Sequence, residues 1–252
     1  MSANLISQAE RVADEVASAF IAKKGVVGVV YVGALARGYF DEHSDVDIVV
    51  YKRRGVRLGW PREREYTYRG FLIDLEVRCY ERDLHRVWSF EERWNFLNAR
   101  VKYDPEGLVR ELIELKVPLR DKERAKVLED ELRKAGWSIS DIEAWLYRND
   151  PLSARYAALT ALRHLLRALA ALNRIPPPPD KWLVRVALSV ENKPSGIQEA
   201  LYEILAKGDP EPEATVRIKD ALESLRKWML SMPGGVSALR IEHRGERTEP
   251  AA

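Results

Sequence analysis

The chain has one cysteine, Cys79, in 252 residues, so it has no internal disulfide. It has four histidines and no paired Cys/His spacing, which removes the ligand pattern of a zinc site. No apolar run is long enough to cross a bilayer, and MSANLISQAE lacks the pattern of a signal peptide. The expectation is a cytoplasmic protein. An excess of one charge is missing too: 41 basic against 39 acidic residues leave +2, which selects no class of partner. The run "GVVYVG" is strand-like, and no Gly-Lys-Ser/Thr follows it, which excludes an ATPase phosphate loop. Glutamine is scarce beside abundant Arg and Glu, a composition associated with thermophilic proteins.

What is present is a globular composition, 46% hydrophobic and 32% charged, on a chain of a length that suits two domains. The texture changes near Pro118. Before it, helix and strand patterns alternate. Apolar spacing predicts a helix over 3–23 ended by Gly25, and VVGVVYV (26–32) reads as a strand buried on both faces. A turn and short helix lead through Gly38 to a strand over 45–51. A basic hairpin region then leads to a strand over 71–80, a helix over 81–100 and a short edge strand at 101–104. After Pro118 only helices are expected, over 120–135, 139–148, 152–173, 180–190, 196–207 and 213–231. The run Pro176–Pro179 reads as a rigid extended connector. The domain expectation is therefore 1–117, then 118–234, then a flexible tail over 235–252.

The stretch "GALARGYFDEHSDVDIVVYK" (33–52) carries the chemistry. Alternation along a strand puts Asp45 and Asp47 on one face and Val46 and Ile48 on the other. Two adjacent carboxylates repel each other and call for a cation. A third, Asp74, interrupts the apolar run "FLIDLEV". If the two strands are neighbours, three carboxylates converge at a sheet edge. Such an oxygen set suits Mg²⁺, and two such ions can clamp both oxygens of a phosphoryl displacement. The blander reading has Asp45 starting a strand, Asp47 in a surface ion pair and Asp74 against an arginine.

Together, "GALARGYFDEHSDVDIVV" and "FLIDLEV" resemble the signature of the DNA polymerase β-type nucleotidyltransferase superfamily. The likeness spans about residues 26–80. It implies an α+β (α/β-like) fold, a mixed sheet with flanking helices, here followed by an all-α helical bundle. It also implies two Mg²⁺ ions, with Mn²⁺ as the alternative, and transfer of a nucleoside monophosphate from a nucleoside triphosphate to an acceptor hydroxyl. On this resemblance Asp45 and Asp47 hold both metals, and Asp74 holds the catalytic one and helps take the acceptor's proton. Gly33, Ala34, Arg37 and Ser44 are the expected nucleotide-binding positions: Gly33 for close backbone approach, Arg37 as a donor to phosphate oxygens. Ala34 stands where the family has a serine, so a hydroxyl donor is missing; backbone N–H groups of the turn still suit an anion.

The helical half resembles, more loosely, the substrate domains of kanamycin- and lincosamide-type nucleotidyltransferases, through "ALTALRHLLRALAALNRIPPPPDKWL". A small-molecule acceptor is accordingly favoured over RNA or protein, with a degenerate nucleotide-binding protein as a further alternative and the active site expected in the cleft between the halves. Arg163, Arg167 and Arg174 share a helix face that is either solvated or cleft-lining, and Lys181 beside Trp182 is equally open. His43 reads as loop. Glu76 and Glu143 are both candidates for an additional general base. The basic region 52–69 (Lys52, Arg53, Arg54, Arg57, Arg62, Arg64, Arg69) suits either an RNA backbone or an edge protected from strand pairing.

Overall fold

The computed structural model describes residues 2–59, 64–206 and 212–233. These fall into two compact units, one ending at Pro118 and the other beginning at Leu119. No described helix is long and apolar enough to cross a membrane.

The first unit runs α1 (Ser2–Ile21), β1 (Val26–Tyr31), α2 (Gly33–Ala36), β2 (Val46–Lys52), β3 (Glu65–Tyr68) and β4 (Phe71–Cys79). It continues with α3 (Tyr80–His85), α4 (Phe90–Phe96), β5 (Arg100–Tyr103) and α5 (Leu108–Lys116). The strands form one mixed sheet in the order β3-β4-β2-β1-β5. Only the β2–β4 pair is parallel among the described strands. Alternation divides the side chains between two cores. Val46, Ile48, Val50, Ile73 and Leu75 pack with Ala9, Ala13 and Phe20 of α1. Val49 and Tyr51 point the other way, toward Tyr80, Trp88, Phe96 and the α5 residues Val109 and Leu112. A sheet covered on both faces explains why VVGVVYV is almost wholly apolar.

The second unit is helical: α6 (Asp121–Tyr147), α7 (Pro151–Leu172), a 3₁₀ turn (Asp180–Trp182), α8 (Leu183–Ser189), α9 (Ile197–Ala206) and α10 (Pro212–Ser231). Asp150 caps α7 by accepting from the Ser153 N–H, and Pro151 occupies the first helical position, where its missing N–H costs nothing. α7 is the central helix, packed against α6, α8 and α10. Its small buried residues (Ala154, Ala157, Ala158, Ala161, Ala168) line the packed faces.

The mixed sheet with flanking helices and the helical second half are as expected, and several details differ. The helix expected over 81–100 is two helices, because Ser89 and Glu92 form a capping box that starts α4 afresh. The helices expected over 120–135 and 139–148 are one, α6, of 27 residues. It continues through Gly136, where a Cβ would meet the Arg226 guanidinium of α10 at 3.0 Å, so the glycine leaves room for that side chain. The helix expected over 180–190 begins as a 3₁₀ turn. The edge strand β3 and helix α5 had no separate signal. The tail expected over 235–252 lies outside the described residues.

Candidate active site

The parallel register pairs Asp47 of β2 with Asp74 of β4 as direct Cα partners. Asp45 lies two residues before Asp47, just ahead of the strand. Each of the three carboxylates offers an oxygen within 4.8 Å of the others, and all three side chains are half-buried. They stand on the sheet face that carries Val49, Tyr51, Glu76 and Arg78.

Gly33 backs this cluster. Its φ is +64°, a conformation that glycine adopts without strain, and a Cβ there would lie 1.7 Å from Asp47 Oδ2. The Val32 N–H donates to the Asp47 carbonyl at 3.2 Å, which ties the turn to β2. Arg64, immediately before β3, forks onto the third carboxylate: Nε to Asp74 Oδ1 at 2.6 Å and Nη2 to Asp74 Oδ2 at 2.9 Å. A cavity of about 60 Å³ lies against Asp47, Arg64, Asp74, Glu76, Arg78 and Asn95.

Beside it, a second cavity of about 290 Å³ shares Glu76 and Arg78 and adds Arg82, Asp83, Arg86 and Glu92. Its walls form one ion-pair network. Arg78 bridges Glu76, Asp83 and Glu92. Arg86 donates from Nε to Asp83 at 2.6 Å and from Nη1 to Glu92 at 2.8 Å. Tyr51 donates to Asp83 at 3.3 Å. Burial pushes the Tyr51 hydroxyl pKa upward, and the nearby Asp83 adds to that shift against the opposing effect of Arg78. Burial alone would raise Glu92, yet its hydrogen bonds from Arg86 and the Ser89 N–H and the two arginine charges outweigh that and hold it at about 2.

Residues 11–112 match the family model of the nucleotidyltransferase domain. That stretch holds the Gly33 turn and all three aspartates. Across both units the chain has the fold of a nucleotidyltransferase-like protein from Exiguobacterium sibiricum, at a TM-score of 0.51 and 16% identity, covering 94% of this chain and 81% of that one. No curated protein matches the sequence significantly.

Within the matched stretch the other expected nucleotide-binding positions have local partners. Ala34 is half-buried and packs against the α1-side core. The Arg37 guanidinium lies over the Trp94 ring, 4.9 Å from its centre, and donates to the Trp94 carbonyl at 3.1 Å. Ser44 donates to Asp41 Oδ1 at 2.8 Å, closing the turn that leads into β2. His43 is exposed in that turn, its N–H donating to Asp41. Glu76 sits on the cluster's face and accepts from Arg78 at 2.7 Å. Glu143 belongs to the helical unit, where it pairs with Lys219.

Of the basic region, Arg53 pairs with Glu106 and Glu81, and Arg69 with Glu15. Arg62 lies outside the described residues. In the helical unit Arg163 faces Asp180 and Arg174 pairs with Asp121. Arg167 turns inward to Glu131, a buried carboxylate that also meets His164 Nδ1 at 2.6 Å. Lys181 and Trp182 lie in the 3₁₀ turn. Sequence reasoning missed Arg64, Asn95 and the Arg78 network as site neighbours. Arg64 was visible only as one charge in a basic stretch, and its reach to Asp74 needs the β3–β4 register.

Proposed function

We propose that the chain transfers a nucleoside monophosphate from a nucleoside triphosphate to the hydroxyl of a small-molecule acceptor, releasing pyrophosphate. The observation that carries this reading is the convergence of Asp45, Asp47 and Asp74 within 4.8 Å beside the Gly33 turn, inside the matched domain. The donor set is all carboxylate oxygen, which fits Mg²⁺ or Mn²⁺. Asp45 and Asp47 would hold two ions and Asp74 one of them. Such ions would supply positive charge to the attacking and leaving oxygens of an in-line displacement.

The side chains divide the remaining work. Asp74 accepts the acceptor's proton, and Glu76, two residues along the same face, is the favoured second base because it lines the same cavity. Turn N–H groups beginning at Gly33 cradle the phosphates. The helical unit supplies acceptor specificity, a reading supported by the likeness of its central helix and proline connector to small-molecule enzymes.

The test is product formation from labelled triphosphates offered with small-molecule, RNA and protein acceptors. The reading expects metal-dependent transfer to a small molecule, lost in Asp47→Asn with the far-ultraviolet spectrum intact. Full activity in that variant would overturn it. Nucleotide binding without transfer to any acceptor would favour the degenerate binder, for which Ala34 is the motive.

A further inference from the structure

We propose that Arg64 is the resident counter-ion of the carboxylate cluster, and that a divalent cation enters by taking its place on Asp74. This makes Arg64 a positioning residue that sets the metal affinity of the site. The inference rests on the reading of Asp45, Asp47 and Asp74 as metal ligands.

Three carboxylates within 4.8 Å concentrate negative charge that water alone compensates poorly at half-buried positions. Arg64 offsets part of it through a two-point contact in which each Asp74 oxygen accepts one N–H. Those in-plane lone pairs are also the directions an inner-sphere cation uses. A dication brings more charge to the same place and repels the guanidinium beside it. The two cations therefore compete.

The structure shows which partner can move. Asp74 sits on β4, flanked by β2 and β3, with its side chain only 15% exposed, whereas the Arg64 side chain is 62% exposed. An exposed guanidinium returns to water at little cost. Its backbone stays put, because the Arg64 carbonyl accepts from the Leu75 N–H at 2.9 Å. The side chain is thus a tethered competitor, present beside Asp74 at high effective concentration. Arg78, on the same face, cannot play this part, since its guanidinium is held by Glu76, Asp83 and Glu92.

Mn²⁺ binding to the whole chain, followed by electron paramagnetic resonance, tests the exchange. Arg64→Gln should bind Mn²⁺ about tenfold more tightly, equivalent to ~1.4 kcal/mol. Arg64→Lys, which keeps the charge and loses the fork, should fall between. In chelator, Arg64→Gln should melt below wild type, because the cluster has lost its counter-ion. Equal or weaker Mn²⁺ binding by Arg64→Gln, with binding still abolished by Asp47→Asn, would overturn the exchange and leave the metal site standing. No Asp47-dependent Mn²⁺ binding in the wild type would overturn both.

Discussion

At Gly33 a hydrogen atom in place of a side chain decides where Asp47 can sit. A methyl there would overlap Asp47 Oδ2, and the φ of +64° is one that residues with a side chain rarely adopt. Gly33→Ala should therefore cost about 1–3 kcal/mol of stability from the backbone alone. It should also displace the carboxylate and weaken Mn²⁺ binding. Urea denaturation and Mn²⁺ titration check the two effects separately. An unchanged Mn²⁺ affinity would mean that Asp47 relocates freely, and the glycine would then have no part in shaping the site. The carboxylates themselves were legible because they interrupt apolar strands: Asp47 within DVDIVV, Asp74 within FLIDLEV. Nothing local marks Arg64, one basic residue among seven in 52–69. Its role follows from an edge-strand register, which is a tertiary fact. Arg37 shows the opposite case, where a residue noticed in a motif spends its guanidinium on a tryptophan that only folding brings near.

Among the elements, α4 shows how a helix end can brace a site. Glu92 closes the capping box with Ser89 and also accepts from Arg86 and pairs with Arg78, which lines the cavity at the aspartates. Its pKa, held at about 2 against an ordinary 4.5, makes the contribution pH-dependent. A carboxyl depressed on folding stabilises fully above its unfolded pKa and loses that contribution as pH falls through the folded one. Glu92→Gln should therefore cost about 1–2 kcal/mol above pH 4.5, after allowance for solvent screening of a part-exposed group. The gap to wild type should shrink steadily toward pH 2. Urea titrations at several pH values read it directly, and a gap constant with pH would assign the effect to packing instead. The same helix explains a misread boundary. Helical spacing continues through 81–100, but a reciprocal cap at Ser89 restarts the chain, and spacing cannot register a cap's geometry. The gap expected between 135 and 139 errs in the other direction: α6 runs through it, and Gly136 leaves room for the Arg226 guanidinium of α10.

For the molecule as a whole, the charge that matters is local. A net +2 conceals three carboxylates crowded where the inner strands β2 and β4 run side by side, and a fold that tolerates such crowding with only Asp74 offset by Arg64 gives up stability. The stability of the chain should then depend on metal through linkage, because an ion that binds only the folded state stabilises it by mass action. At a hundred times the dissociation constant the gain is about 2.7 kcal/mol. For a chain of this size that corresponds to a rise of about 5–10 °C in melting temperature. Asp47→Asn should reverse the order. Without one of the three charges it should melt at or above wild type in chelator, since repulsion is relieved, and it should not respond to Mn²⁺. The two proteins' melting temperatures should therefore cross as Mn²⁺ is added, which a change confined to packing cannot produce. An equal Mn²⁺ response in both would put the ion elsewhere on the molecule. A variant less stable than wild type in chelator would instead make Asp47 a structural carboxylate, held by contacts that outweigh its two neighbours.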